Sequence, residues 1–165
     1  MSLPDRLPEI TVSLDIPAPP ERVWEVVTDI SVMPRFSEEL QSVEWADGFS
    51  RAEPGAQFLG TNHNEAIGEW KVRCHIVEFE PYRLFGWAVA SVESPAATWR
   101  FELTPTDVGT LLSYKAIIGP GRSGVTWLIS QDPERAEEII ADRLEVFRAG
   151  MTATLEGIRE IAVGA

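Results

Sequence analysis

The sequence predicts an α+β domain in which a curved antiparallel sheet wraps around one long C-terminal helix and encloses an apolar space. Three observations predict it. From Leu40 to Ile118 apolar and polar residues alternate between turn signals, as strands do. A single apolar stripe at steps of three and four runs through the last part of the chain. Turn chemistry then registers three hairpins so that their apolar faces coincide.

The chain has 165 residues, enough for one domain over residues 1–165, with residues 1–7 expected as a loose tail. Apolar residues make up 44%, which is ordinary, but six tryptophans are not. Cys74 is the only cysteine, so no intrachain disulfide exists, which suits a reducing cytoplasm. The opening MSLPDRLPEI lacks the apolar run of a signal peptide, and no stretch approaches the ~20 apolar residues of a membrane span. A cytoplasmic protein without integral membrane association is expected, as a monomer or homodimer. With 26 acidic and 14 basic residues the net charge is −12, which disfavours nucleic acid as a partner.

Ile10, Val12, Leu14 and Ile16 alternate with Thr11, Ser13 and Asp15, predicting a half-buried first strand. Pro17, Pro19 and Pro20 end it and open a helix over 21–27 with Val23, Trp24 and Val27 on one stripe. A second short helical piece carries Met33 and Phe36. The first hairpin turns at Ala66-Ile67-Gly68, setting Asn64 opposite Trp70, Asn62 opposite Val72, Gly60 opposite Cys74 and Phe58 opposite Ile76. The second, Glu80-Pro81-Tyr82-Arg83, reads as a type I turn that places Trp87 beside Ile76, Val89 beside Cys74 and Glu78 opposite Phe85. The third, over 106–109, brings Leu103 opposite Leu112, Phe101 opposite Tyr114 and Trp99 opposite Ala116, with Arg100, Glu102 and Lys115 outward.

For the closing helix, Asp132 is expected to cap and Pro133 to occupy the first position. The stripe Ile140, Leu144, Phe147, Met151, Leu155, Ile158 would then run along about 29 residues, roughly 43 Å. Gly150 and Gly157 weaken such a helix by up to ~1 kcal/mol each relative to alanine.

The opening DIPAPPERVWEVVTDISVMPRF, the strand pair EWKVRCHIVEFEPYRLFGWAV, the hairpin ATWRFELTPTDVGTLLSY and the closing helix together resemble the START-like (SRPBCC) superfamily, and within it the polyketide cyclase/dehydrase and lipid-transport group. The resemblance covers nearly the whole chain. It implies a helix-grip fold: a seven-stranded sheet of order 2-3-4-5-6-7-1 gripping the long helix, two short helices between strands 1 and 2, and a cavity between sheet and helix. The functions it implies range over binding of lipids or hormones, polyketide cyclisation and stress-related roles, and fold does not select among them.

Alternation turns Phe58, Trp70, Val72, Cys74, Ile76, Phe85, Trp87, Val89, Trp99, Phe101 and Tyr114 toward the helix. With Phe36, Trp127, Phe147 and Met151 they form the expected ligand-binding set. Each alone is as consistent with a solid core; bulky aromatics beside small Gly60, Cys74 and Ala116 on a curved sheet favour a pocket. Asn62, Asn64 and Tyr114 are the polar groups expected to meet a ligand carbonyl or hydroxyl, since each needs a partner when buried. Arg148, at the edge of the stripe, would anchor an acidic ligand or snorkel outward.

The expected function is binding of a small hydrophobic molecule: a lipid, a polyketide or a similar aromatic. A polyketide cyclase or dehydratase acting in the same cavity is the alternative, with Tyr114 and Glu78 as candidate catalytic groups. A regulatory or stress-related interaction protein is a second alternative. His63, Glu65 and His75 fall on the outward face and do not converge, so no metal is expected. No cofactor is expected either, for no phosphate loop, nucleophile elbow or HExxH string occurs. The glycine-rich segment 119–129 reads as a connector or a mobile flap at the cavity mouth.

Overall fold

The alternation of residues 10–16 appears as strand β1 (Glu9–Ile16), with Ile10 and Ile16 buried and the polar side chains outward. This is a computed structural model, and it describes residues 6–164; most of the expected tail at 1–7 lies outside the described residues. Helix α1 (Pro20–Val27) buries Val23, Trp24, Val26 and Val27 and stops at Thr28, whose hydroxyl donates to the Trp24 carbonyl at 2.7 Å. A 3-10 helix (Ile30–Phe36) follows, opened by Asp29, whose carboxylate accepts from the Ser31 amide. Six more strands come next: β2 (Leu40–Trp45), β3 (Gln57–Asn64), β4 (Gly68–Glu80), β5 (Leu84–Val89), β6 (Ala97–Thr106) and β7 (Gly109–Ile118). The sheet is antiparallel throughout, in the order β1-β7-β6-β5-β4-β3-β2, the helix-grip order.

The β6–β7 hairpin has the expected register, with Leu103 facing Leu112, Phe101 facing Tyr114 and Trp99 facing Ala116. Three other details differ. In the β3–β4 hairpin Asn64 faces Gly68, so Asn62 pairs with Trp70, Gly60 with Val72 and Phe58 with Cys74, two residues from the expected register. The cause is local: Asn64 Oδ1 accepts from the Ile67 amide at 2.8 Å, so asparagine closes the turn, and Gly68 takes the left-handed φ of +91° at its exit. A shift of two preserves the face of every side chain. At the next turn Tyr82 has φ +67°, the sign required at the third residue of a type II turn rather than type I.

The third difference changes chemistry. Cys74–Val89 and Ile76–Trp87 pair as expected, but a β-bulge at Val77 inserts one residue before Glu78 pairs with Gly86. Alternation inverts there. Phe79 turns inward against Trp24 and Phe85, with ring centroids 5.3 and 6.3 Å away, and Glu78 turns outward.

The segment expected as a connector or flap contains a helix, α2 (Gly124–Gln131), held by a reciprocal capping box between Ser123 and Thr126. Asp132 makes no side-chain cap, Pro133 opens only a 3-10 turn, and the long helix α3 runs from Ala136 to Gly164, 29 residues. Its buried face is Phe147, Met151, Thr154, Leu155, Gly157, Ile158 and Ala162, while Ile140 and Leu144 are only half-buried. The C-terminal half of α3 therefore packs on the sheet, where each fully buried Leu, Ile or Met contributes roughly 1.5–3 kcal/mol. Gly157 has a packing role: a Cβ there would lie 2.4 Å from the Phe36 ring.

Candidate ligand cavity

The N-terminal half of α3 stands off the sheet, and the space beneath it is a cavity of about 540 Å³. That lies within the roughly 300–1,000 Å³ typical of small-molecule sites. The sheet wall is built by Phe58, Asn62, Trp70, Val72, Cys74, Trp87, Val89, Trp99 and Tyr114; α3 adds Phe147 and Met151, and α2 adds Trp127. These twelve belong to the set expected from the sequence, because alternation survives the shifted register. Trp99 joins the sheet to α3 through Phe147, ring centroids 4.8 Å apart, and Phe58 meets Trp87 edge-on at 5.9 Å.

Five expected ligand contacts are not brought to the lining. Ile76, Phe85 and Phe101 are each at most 3% exposed and form the solid floor below the cavity, where the Phe85 and Phe101 rings meet Trp87 and Tyr114. Phe36 packs on Gly157 of α3 instead. Asn64 spends its amide on the turn and on Glu39, to which Nδ2 donates at 3.2 Å.

Glu78, a candidate acid or base, is outside the cavity as well. The bulge aims it at Arg100, which donates to its two carboxylate oxygens at 2.8 and 2.9 Å on the outer face of the sheet. This bidentate contact holds the Arg100 guanidinium above its ordinary value. Tyr114 does line the cavity. Its ring stacks on Phe101 with centroids 4.0 Å apart, and burial, with a smaller push from Cys74, raises its phenol well above the ordinary value of 10.0. Burial likewise pushes the Cys74 thiol up to about 12. Both remain neutral at physiological pH.

That shift has a measurable consequence. The unfolded thiol ionises near 9.0 and the folded one near 12, so its contribution to stability is complete below pH 9 and is lost as pH rises toward 12. Between pH 8 and 10.5 the loss attributable to Cys74 is about 2 kcal/mol at ~1.4 kcal/mol per unit. Urea titrations across this range should show the decline in the native protein and a flatter profile in Cys74→Ala. Equal slopes would disprove the assignment.

The cavity also holds charged residues that local sequence patterns do not reveal. Arg143 of α3 donates through two guanidinium nitrogens to both carboxylate oxygens of Glu39, one at 2.6 Å, and its Cζ lies 4.7 Å from the Phe147 ring centroid. The partners are 104 positions apart in sequence, and their side chains are only 18% and 20% exposed. Arg148, the arginine singled out from the sequence, instead pairs with Glu145 in solvent at 3.4 Å. Arg122 and Ser123 join the lining just before α2, where Gly124 sits so tightly on Ile67 that a Cβ would fall 2.2 Å from its Cδ1. The tip of the β3–β4 hairpin and the start of α2 thus meet at the mouth. His63 is exposed, and His75 bonds the Ala90 carbonyl at 3.2 Å. Among the described residues no group of three or more His, Cys, Asp or Glu could hold a metal ion, and no helix is long and apolar enough to cross a membrane.

A seven-stranded sheet gripping a long helix over an aromatic-walled cavity defines the helix-grip class of domains. The chain belongs to the polyketide cyclase / dehydrase and lipid transport family, whose model matches residues 8–159. No functionally curated protein matches it. Among solved structures, it is similar to the Polyketide_cyc-like protein Cgl2372 from Corynebacterium glutamicum, at 25% identity and TM-score 0.67, covering 95% of this chain and 92% of that one. The Zhui aromatase/cyclase from Streptomyces sp. R1128 shares the fold at 13% identity and TM-score 0.63, covering 95% and 94%. So does the di-domain ARO/CYC protein StfQ of the steffimycin biosynthetic pathway, at 12% identity and TM-score 0.71, where 93% of this chain covers 50% of that one.

Proposed function

We propose that this chain binds a small hydrophobic molecule, a lipid, a polyketide or a similar aromatic, in the cavity between sheet and α3, and that it does so in the cytoplasm. The observation that carries the reading is the space itself, about 540 Å³ walled mainly by aromatic and aliphatic side chains. Asn62 and Tyr114 line it and carry polar groups suited to a guest carbonyl or hydroxyl. Binding is favoured over acid–base catalysis because the ionisable lining is poorly suited to proton transfer near neutrality. Cys74 and Tyr114 are held neutral, and Glu39 is engaged by Arg143.

Four tryptophans, Trp70, Trp87, Trp99 and Trp127, line the space, so intrinsic fluorescence reports on occupancy. Titration with a neutral polycyclic probe, methyl anthracene-2-carboxylate, should quench it saturably, and native mass spectrometry should show one adduct per chain. Absence of both would end the reading.

The second reading is a cyclase or dehydratase in the same cavity. It is favoured by Tyr114, a neutral phenol in a water-poor wall, suited to donating to an oxygen on which charge develops. Loss of turnover of a polyketide substrate in Tyr114→Phe, with binding retained, would support it; unchanged turnover would remove it.

A further inference from the structure

The cavity is not electrically neutral, and the sign of its charge is opposite to that of the protein. The charged side chains in its lining are Glu39, Arg122 and Arg143, a net +1 in a chain of net −12. Glu39 and Arg143 neutralise each other, and Arg143 is further fixed by its bond geometry and by the Phe147 ring. Arg122 is different. It is exposed and forms no ion pair among the described residues, although acids outnumber bases nearly two to one in the sequence.

Position adds a second constraint. Arg122 directly precedes Ser123, the N-cap of α2, and shares the rim with Trp127 and Val146, which are 54% and 52% exposed. The opposite end is closed by Phe58, Cys74 and Trp87, none more than 5% exposed. The space thus runs from an apolar interior to a wet, cationic lip. A charge held at such a lip keeps part of its hydration, so pairing there avoids the desolvation cost that defeats buried ion pairs. Low-dielectric walls concentrate the field of the free cation, while the acidic surface elsewhere repels an anion from every other landing site.

We propose that the guest is amphipathic and anionic: an apolar, largely aromatic body lying between the Trp87 wall and α3, with one carboxylate-type group paired to Arg122 at the rim. The inference rests on the binding reading above and narrows it to acids.

The test compares two probes that differ only in charge, anthracene-2-carboxylate and its methyl ester, by tryptophan quenching at neutral pH. The acid is expected to bind native protein about five- to tenfold tighter than the ester, the range for one partly exposed charge-assisted contact. Arg122→Gln should abolish that preference and leave ester affinity within about twofold, and Arg122→Lys should restore most of it. Raising salt should weaken the acid alone. An ester that binds native protein as tightly as the acid, or an Arg122→Gln variant that weakens both probes alike, would overturn the proposal while leaving the cavity as a binding site. Failure of both probes to bind would overturn the binding reading and this inference together.

Discussion

Gly150→Leu is expected to abolish uptake of a neutral aromatic guest while leaving the fold at least as stable. Gly150 lines the cavity, on the same helical row as Arg143, Phe147 and Thr154, which also line it. A Cβ built at this position meets nothing within 4 Å. A leucine side chain therefore extends into empty space, displaces guest volume and gains contacts with the wall. Replacing a helical glycine with leucine also improves helix propensity by about 0.5–1 kcal/mol. Affinity for methyl anthracene-2-carboxylate should fall at least about tenfold, equivalent to ~1.4 kcal/mol, with the thermal midpoint unchanged or raised. Native affinity in a well-folded Gly150→Leu protein would show that the guest lies elsewhere.

Phe85→Ala should be among the most damaging single substitutions, lowering stability by about 3–5 kcal/mol. Phe85 is fully buried and sits at the centre of a ring cluster, with Trp24 at 6.2 Å, Phe79 at 6.3 Å and Trp87 at 5.5 Å. Deleting it opens a void that close-packed neighbours fill only in part. Because domains of this size have roughly 5–15 kcal/mol to lose, the variant should unfold at a markedly lower denaturant concentration. Val89→Ala is the control. It lies on the same strand but faces the cavity, where fewer atoms surround it, so its cost should be much smaller. Similar losses from the two would contradict the division between floor and cavity wall.

How much of this was legible beforehand depends on whether the signal was local. The faces of β3, β6, β7 and the first half of β4 follow from alternation alone, which is why Phe58, Trp70, Trp99 and Tyr114 can be turned inward from the sequence. The turn at Asn64 lies one residue earlier than the glycine signal alone predicts, because the asparagine side chain closes it on the Ile67 amide. The bulge at Val77 leaves no trace in residue type: a valine fits a regular strand equally well, so unbroken alternation predicts the wrong side for Glu78. Helix α2 was hidden behind the glycines of 119–124, which read as loop, although Ser123 and Thr126 form a serviceable cap. Glu39 and Arg143 could not be matched from the sequence, since nothing local joins residues 104 positions apart. Arg148 stands out in the sequence only because it follows Phe147 at the edge of the apolar stripe.

The extra residue in β4 also separates two jobs along one strand. Upstream of Val77 the inward side chains, Trp70, Val72 and Cys74, line the cavity; downstream, Phe79 anchors α1 through Trp24. Substitutions in the upper half can therefore resize the chamber without disturbing the foundation, and changes in the lower half alter foldability without redefining what is held. A strand partitioned in this way lets guest preference drift through evolution while the scaffold stays under separate selection.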